Sequence, residues 1–143
     1  MSNFNTIIAI TDNLESVLKG MGINFTRKTY EDMASIPTSL LPLGEITYNG
    51  ESFEHPSGQR PGYAEADYRL KVVLKEADAR DMQRKQMKWI HLVRDGLTVN
   101  ALNIGALASS KLISNVITEA ARPNNVQVDM GAVEYDIKIR YRE

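Results

Sequence analysis

Two stretches of the chain alternate strictly between apolar and charged residues, and that alternation limits the available folds more than any other feature. From 131 to 143, Val133, Tyr135, Ile137, Ile139 and Tyr141 alternate with Glu134, Asp136, Lys138, Arg140 and Arg142. From 63 to 75, Ala66, Tyr68, Leu70, Val72 and Leu74 alternate with Glu65, Asp67, Arg69 and Lys71, with Lys75 closing the run. Successive side chains of a strand point to opposite faces, so each stretch reads as a strand with one apolar and one charged face. A strand of that kind is packed on one side only, as in an antiparallel sheet with one covered face.

The charges predict how the two strands meet. With Asp67 set opposite Lys138 in an antiparallel pair, Glu65 faces Arg140, Arg69 faces Asp136 and Lys71 faces Glu134. The apolar rows then align as well: Ala66 with Ile139, Tyr68 with Ile137, Leu70 with Tyr135, Val72 with Val133. A slide of two residues sets Asp67 against Asp136, or Arg69 against Lys138. A slip of one sets apolar side chains against charged ones. The two strands are therefore expected to be direct neighbours in this register.

The covering layer is legible as two amphipathic helices. In 3–21, Ile7, Ile10, Leu14, Val17, Leu18 and Met21 recur at three- and four-residue steps. Gly20-Met21-Gly22 follows a helix and lacks a third glycine, so it reads as a helix stop and not as a phosphate loop. In 77–97, Asp78 is the expected cap, and Met82, Trp89, Ile90, Val93 and Leu97 form the expected buried stripe. Arg80, Arg84, Lys85 and Lys88 fall elsewhere on that helix and read as a solvated face.

Between these elements the pattern weakens. A short strand is expected over 23–30, with Ile23 and Phe25 on one face, then a connection over 31–43 broken by Pro37 and Pro42 and laid across the sheet. Residues 44–48 predict another strand, with Ile46 and Tyr48 inward. Residues 49–62 hold Asn49-Gly50, Pro56, Gly58 and Pro61-Gly62 and predict a long polar hairpin loop. Loops of that length are often functional. This one is either a contact loop that orders on assembly or an idle tip. Residues 98–110 predict a loop with a short helical turn. Residues 111–121 predict a strand with Leu112, Val116 and Ala120 among its apolar positions, ending at a turn over Arg122-Pro123-Asn124-Asn125. Residues 126–130 predict a short extended piece or a bulge.

The fold class that results is α+β: a mainly antiparallel sheet packed against two amphipathic helices, with one long polar hairpin loop. At 143 residues and 43% hydrophobic content the chain reads as a single domain with one core. Its net charge of −1 argues against nucleic acid as the main partner, since phosphate binding needs a clustered basic excess. There is no cysteine, which excludes disulfides, thiolate metal sites and cysteine catalysis. No apolar run approaches a membrane span or a signal segment, so a cytoplasmic site of synthesis is expected.

Catalytic chemistry finds little footing. His55 and His91 lie in different elements, and Glu54-His55 offers two ligands where a metal site needs three or four. Ser109-Ser110 lacks the context of a nucleophile turn. The carboxylates of Glu65 and Asp67, and of Glu134 and Asp136, alternate with inward apolar residues and read as surface ladders. No catalytic, cofactor-binding or metal-binding residue is expected, and the chain does not read as an enzyme.

The order of elements carries a resemblance. It rests on residues 66–75, on the helix around Trp89-Ile90-His91-Leu92-Val93, and on 133–143 with its closing Ile-Lys-Ile-Arg-Tyr-Arg-Glu. From about Ile7 onward the chain resembles the small tail terminator proteins of long-tailed bacteriophages. The resemblance does not extend to 31–43 or 98–110, and the family has no short motif. It implies a structural virion protein at the head-proximal end of the tail, assembled in the host cytoplasm. Such a protein forms a hexameric ring that caps the tail tube, stops its polymerisation and presents a joining surface to a head connector or neck protein. It implies no cofactor and no membrane, and genomic DNA only in transit through the lumen. Glu51, His55 and Arg60 in the 49–62 loop are the expected interface residues. Two other readings remain: another head–tail completion ring protein, or a small α+β domain that binds a ligand or partner.

Overall fold

A computed structural model describes residues 4–55, 62–127 and 129–143. The fold is α+β, as the alternation and the helical stripes require. Four strands form one antiparallel sheet in the order β1-β2-β4-β3: β1 Leu43–Phe53, β2 Tyr63–Lys75, β3 Ile113–Gln127 and β4 Met130–Arg142. Among the described residues three α-helices accompany it: α1 Phe4–Gly20, α2 Ala79–Gly96 and the single turn α3 Val99–Leu102.

The central pair β2 and β4 has the register that its charges predict. Asp67 lies opposite Lys138, Glu65 opposite Arg140, Arg69 opposite Asp136 and Lys71 opposite Glu134. On the other face Ala66, Tyr68, Leu70 and Val72 meet Ile139, Ile137, Tyr135 and Val133. These eight are almost wholly buried. Against them pack Ile10, Leu14 and Leu18 of α1, Met82 and Val93 of α2, and Leu97, Leu102 and Leu107 from the segments that follow α2. Each large side chain buried there contributes about 1.5–3 kcal/mol, so this face carries most of the stability.

The helices begin and end for local reasons. Asp78 caps α2, its carboxylate accepting from the backbone N–H groups of Arg80 and Asp81. α2 buries Met82 and Val93 as expected, but Trp89 and Ile90 are only half-buried. Gln86 takes the centre of the stripe instead. It is 2% exposed and donates to Asn125 Oδ1 (2.8 Å) and to the Ala132 carbonyl (3.2 Å). Asn13 does the same for α1, donating to the Leu102 and Ile104 carbonyls at 2.9 Å each. Both amides satisfy carbonyls that burial would otherwise leave without a partner.

Four sequence expectations need correction. Residues 23–30 form no strand: only Asn24 bridges, to Leu43, and the segment then leaves the sheet. β1 does not stop at 48. Asn49-Gly50 forms a bulge, with Gly50 at φ 99°, and the strand resumes from Glu51 to Phe53. The polar connection is therefore shorter than 49–62, and its part at 56–61 lies outside the described residues. Tyr48 lies on the inner face, opposite Tyr68, yet is 48% exposed because the helices do not cover it. Finally, Arg122-Pro123-Asn124-Asn125 is not a turn. β3 runs through it, with Arg122 opposite Glu134 and Pro123 opposite Val133. Proline is tolerated because β3 is an edge strand.

The connection at 31–43 crosses the sheet's second face, as its prolines suggest. It makes two 3-10 turns, Met33–Ser35 and Thr38–Leu40. Ile36 and Leu43 close with Val73 and Met130 into a small second core. The rest of that face carries the charged ladder.

Candidate assembly surface

Two surfaces stand out: the charged ladder, and the outer edge of β1 with the tyrosines beside it. The ladder is built from β2 and β4 and extended by β3. Asp136 holds two arginines, Arg122 at 3.0 Å and Arg69 at 3.4 Å. These partners keep its carboxyl below the usual range, Arg122 first through its hydrogen bond. Lys138 reaches Glu119 at 3.5 Å and Glu65 at 3.8 Å. Its ammonium is held above the ordinary lysine value, first by the charge of Glu119, then by Asp67 and Glu65. Arg140 lies over the ring of Tyr63, 4.2 Å from its centroid. Positive and negative groups thus neutralise one another in small clusters. Each exposed pair contributes little to stability.

The edge of β1 is different in kind. β2 occupies one side of the strand; on the other, among the described residues, only Asn24 pairs with it, at Leu43. Among the described residues nothing pairs with the rest of that edge, from Glu45 to Phe53. Tyr48 and Phe53 stand exposed along it. A groove of about 340 Å³ runs beside its first half, between Thr11 and Glu15 of α1 and the segment from Phe25 to Tyr30.

Glu51 organises this edge. Its carboxylate accepts hydrogen bonds from the hydroxyls of Tyr48 and Tyr141. Tyr48 meets the ring of Tyr68 edge-on at 5.7 Å, and the Tyr68 hydroxyl shares a 2.7 Å hydrogen bond with Thr11 of α1. Burial pushes the Tyr68 hydroxyl up to about 12, against the pull of its bond with Thr11. Burial, then the hydrogen bond and charge of Glu51, push Tyr48 and Tyr141 higher still. The bulged part of β1 is thereby tied to β4 and, through the tyrosines, to α1.

Of the three interface residues expected from sequence, Glu51 sits in β1 and is turned to the tyrosines. His55 is half-buried at the bend after β1, beside Glu54 and Gly62. Arg60 lies outside the described residues. The described part does not bring Glu51 and His55 together: one faces Tyr141, the other Gly62. Sequence reasoning missed Tyr48 and Tyr141 as partners of Glu51. The available signal was the three-residue spacing of Tyr48 and Glu51 across Asn49-Gly50, which a bulge brings onto one face. Among the described residues no group of three or more His, Asp or Glu side chains converges as a metal ion would require. No described helix is long and apolar enough to cross a membrane.

No family model matches the sequence. No curated protein matches it. The fold does have a solved counterpart, in a structure described as the virion of a native gene transfer agent particle. The similarity has a TM-score of 0.51 and covers 94% of this chain and 92% of that chain, at 13% sequence identity. At that identity the likeness is one of fold, held over nearly the whole of both chains.

Proposed function

We propose that this chain is a structural protein of a phage-like virion. Its role is that of a tail terminator: a single-domain subunit of a hexameric ring that caps the tail tube, ends its polymerisation and offers a surface to the head connector or neck protein. The observation that carries this reading is the fold shared along 94% of the chain with a virion chain. A sheet with an open edge, lined by exposed Tyr48 and Phe53, supports it. So does a second face whose charges are already matched, which suits DNA in transit better than DNA held in place. The work is done by shape and ring closure, without bond chemistry, in the host cytoplasm and then in the particle.

A cyclic ring needs a heterologous contact whose rotation closes on itself. The test is assembly on tubes: purified protein mixed with tail tubes, viewed by electron microscopy. Rings on one end of each tube, and tubes that no longer lengthen when more tube protein is added, are the expected result. Bare tube ends that continue to grow would overturn the reading. Rings that leave tube growth unaffected would point to a different completion protein of the head–tail junction.

A further inference from the structure

We infer that copies of this chain join by strand pairing, the open edge of β1 in one copy lying antiparallel along the open edge of β3 in the next. The inference rests on the ring reading above and names its interface.

The hydrogen-bond phase of the sheet is the first argument. The Gly44 N–H points away from β2, donating to the Asn24 carbonyl at 2.7 Å. In a strand, successive residues turn their backbone groups to alternate sides. Ile46 and Tyr48 therefore present free N–H and C=O groups at the edge. Beyond the bulge, the Glu54 N–H donates to Tyr63 at 2.9 Å, toward β2, so Phe53 and Glu51 point outward. At the far side of the sheet, the Arg142 N–H donates to the Leu112 carbonyl at 2.9 Å. The even-numbered residues of β4 thus serve β3, and their partners there are Asn115, Ile117, Ala120 and Arg122. Val116, Thr118 and Ala121 turn their backbones outward. On both edges, then, the residues with free backbone groups are those whose side chains face the helix layer. The two edges are in phase, and pairing them keeps helix face with helix face.

Direction is the second argument. Each of the four strands is antiparallel to its neighbour, so β1 and β3 run opposite ways. A rotation that preserves strand direction brings β3 of one copy antiparallel to β1 of the next. An odd number of strands would present parallel edges instead. Pairing β1 with β1 across a two-fold axis would leave both β3 edges open and build no ring.

Charge and side-chain size set the register. Glu45 is the one charged residue of β1 on the ladder face, and Arg122 is the basic residue of β3 there. Placing them opposite puts Ile46 beside Ala121 and Tyr48 beside Thr118 on the helix face, and Thr47 beside Ala120 on the ladder face. At Ile113 the Asn103 amide already holds the edge, accepting from its N–H at 3.1 Å and donating to its carbonyl at 3.0 Å, so the open run of β3 extends from Val116 to Ala121. The Thr118 hydroxyl, buried and without a partner in the single copy, gains a polar neighbour. Pro123 bounds the run: its backbone offers no N–H to the edge, so pairing ends at Ala121.

The natural absence of cysteine makes the test direct. Thr47→Cys and Ala120→Cys are placed together in one chain, at a pair whose side chains project to the same face from a non-hydrogen-bonded position. After mixing with tail tubes and mild oxidation, a non-reducing gel should show a ladder of linked copies ending at the ring, and neither single variant should give one. Rings visible by microscopy with no linked species would overturn the strand pairing and leave the ring reading standing. Absence of rings with the unmodified protein would remove both. A second pair of variants guards against a folding artefact. Glu45→Arg should reduce ring formation at least tenfold, and adding Arg122→Glu should restore part of it, since Arg122 also holds Asp136 within its own copy. Unimpaired assembly by Glu45→Arg would refute the register.

Discussion

Asp67 and Lys138 stand directly opposite each other across β2 and β4, yet the Lys138 ammonium makes its ion pairs with Glu65 and Glu119. Asp67 acts on it through space, and the Asp67 Oδ1 atom is buried without a hydrogen-bond partner. Lys138 is the hub of an acidic group of three, and the facing pair is one spoke of it.

This geometry makes a charge exchange asymmetric. Asp67→Lys removes one of three favourable neighbours, while Lys138→Asp places a carboxylate among three others. Both should lower the thermal midpoint, Lys138→Asp more. The double reversal should recover part of the loss and not all, since an aspartate at 138 still faces Glu65 and Glu119. A double-mutant cycle by thermal unfolding measures this, and strictly additive losses would count against coupling between the two residues.

Glycine at 44 is required by close packing. A Cβ built there would lie 2.7 Å from Ile23 and from the ring of Phe25. Gly44→Ala should destabilise the fold by about 1–3 kcal/mol through overpacking. Gly20, the last residue of α1, has nothing within 4 Å of its built Cβ. Gly20→Ala should be neutral or stabilise by up to about 1 kcal/mol. Urea unfolding of the two variants side by side reads the difference, and equal midpoints would show that the Ile23–Phe25 contact yields freely.

The tyrosines set an alkaline limit. Tyr48, Tyr68, Tyr135 and Tyr141 all have hydroxyls pushed above their ordinary value, with burial the first cause in each. Their neutral form is favoured in the fold, so their contribution is complete below the unfolded value of about 10 and is lost as pH rises. Stability should be flat from neutral pH to about 10 and then fall, by up to ~1.4 kcal/mol per pH unit for each buried tyrosine ionised only in the unfolded chain. Tyr48, half exposed, contributes least. Glu51→Gln removes the charge beside Tyr48 and Tyr141 and should bring their ionisation down in an ultraviolet titration. Ionisation of all the tyrosines together near pH 10, with the protein still folded, would contradict the burial assigned to them.

The central strands were legible because each carries one simple message. Over 65–71 of β2 and 134–140 of β4 every outward position is charged and every inward one apolar, so face, neighbour and register all follow from one pattern. β3 carries no such pattern. Its pairing with β4 is irregular between Ile113 and Asn115, between Thr118 and Ala120 and between Asn124 and Gln127, and each irregularity shifts the alternation. Arg122-Pro123-Asn124-Asn125 has turn composition because an edge position leaves proline's missing N–H without consequence. Asn49-Gly50 misled for a related reason: the same pair that makes a hairpin turn also makes a bulge within a strand. The Glu51 network was illegible because Tyr141 lies 90 residues further along the chain, and only the sheet order brings the two together.

The irregularities of β1 and β3 bear on the shape of any assembly built through these two edges. A long flat edge is a template for endless stacking, and many proteins blunt such edges to avoid fibres. Each bulge bends its strand and strengthens the local twist. Here they fall on the two outermost strands and nowhere in the central pair. Under the strand pairing proposed above, each added copy would be turned relative to the last, so that growth would follow an arc and not a line. The backbone irregularities that left only the first part of β3 legible in the sequence would, under that same pairing, set the radius of that arc.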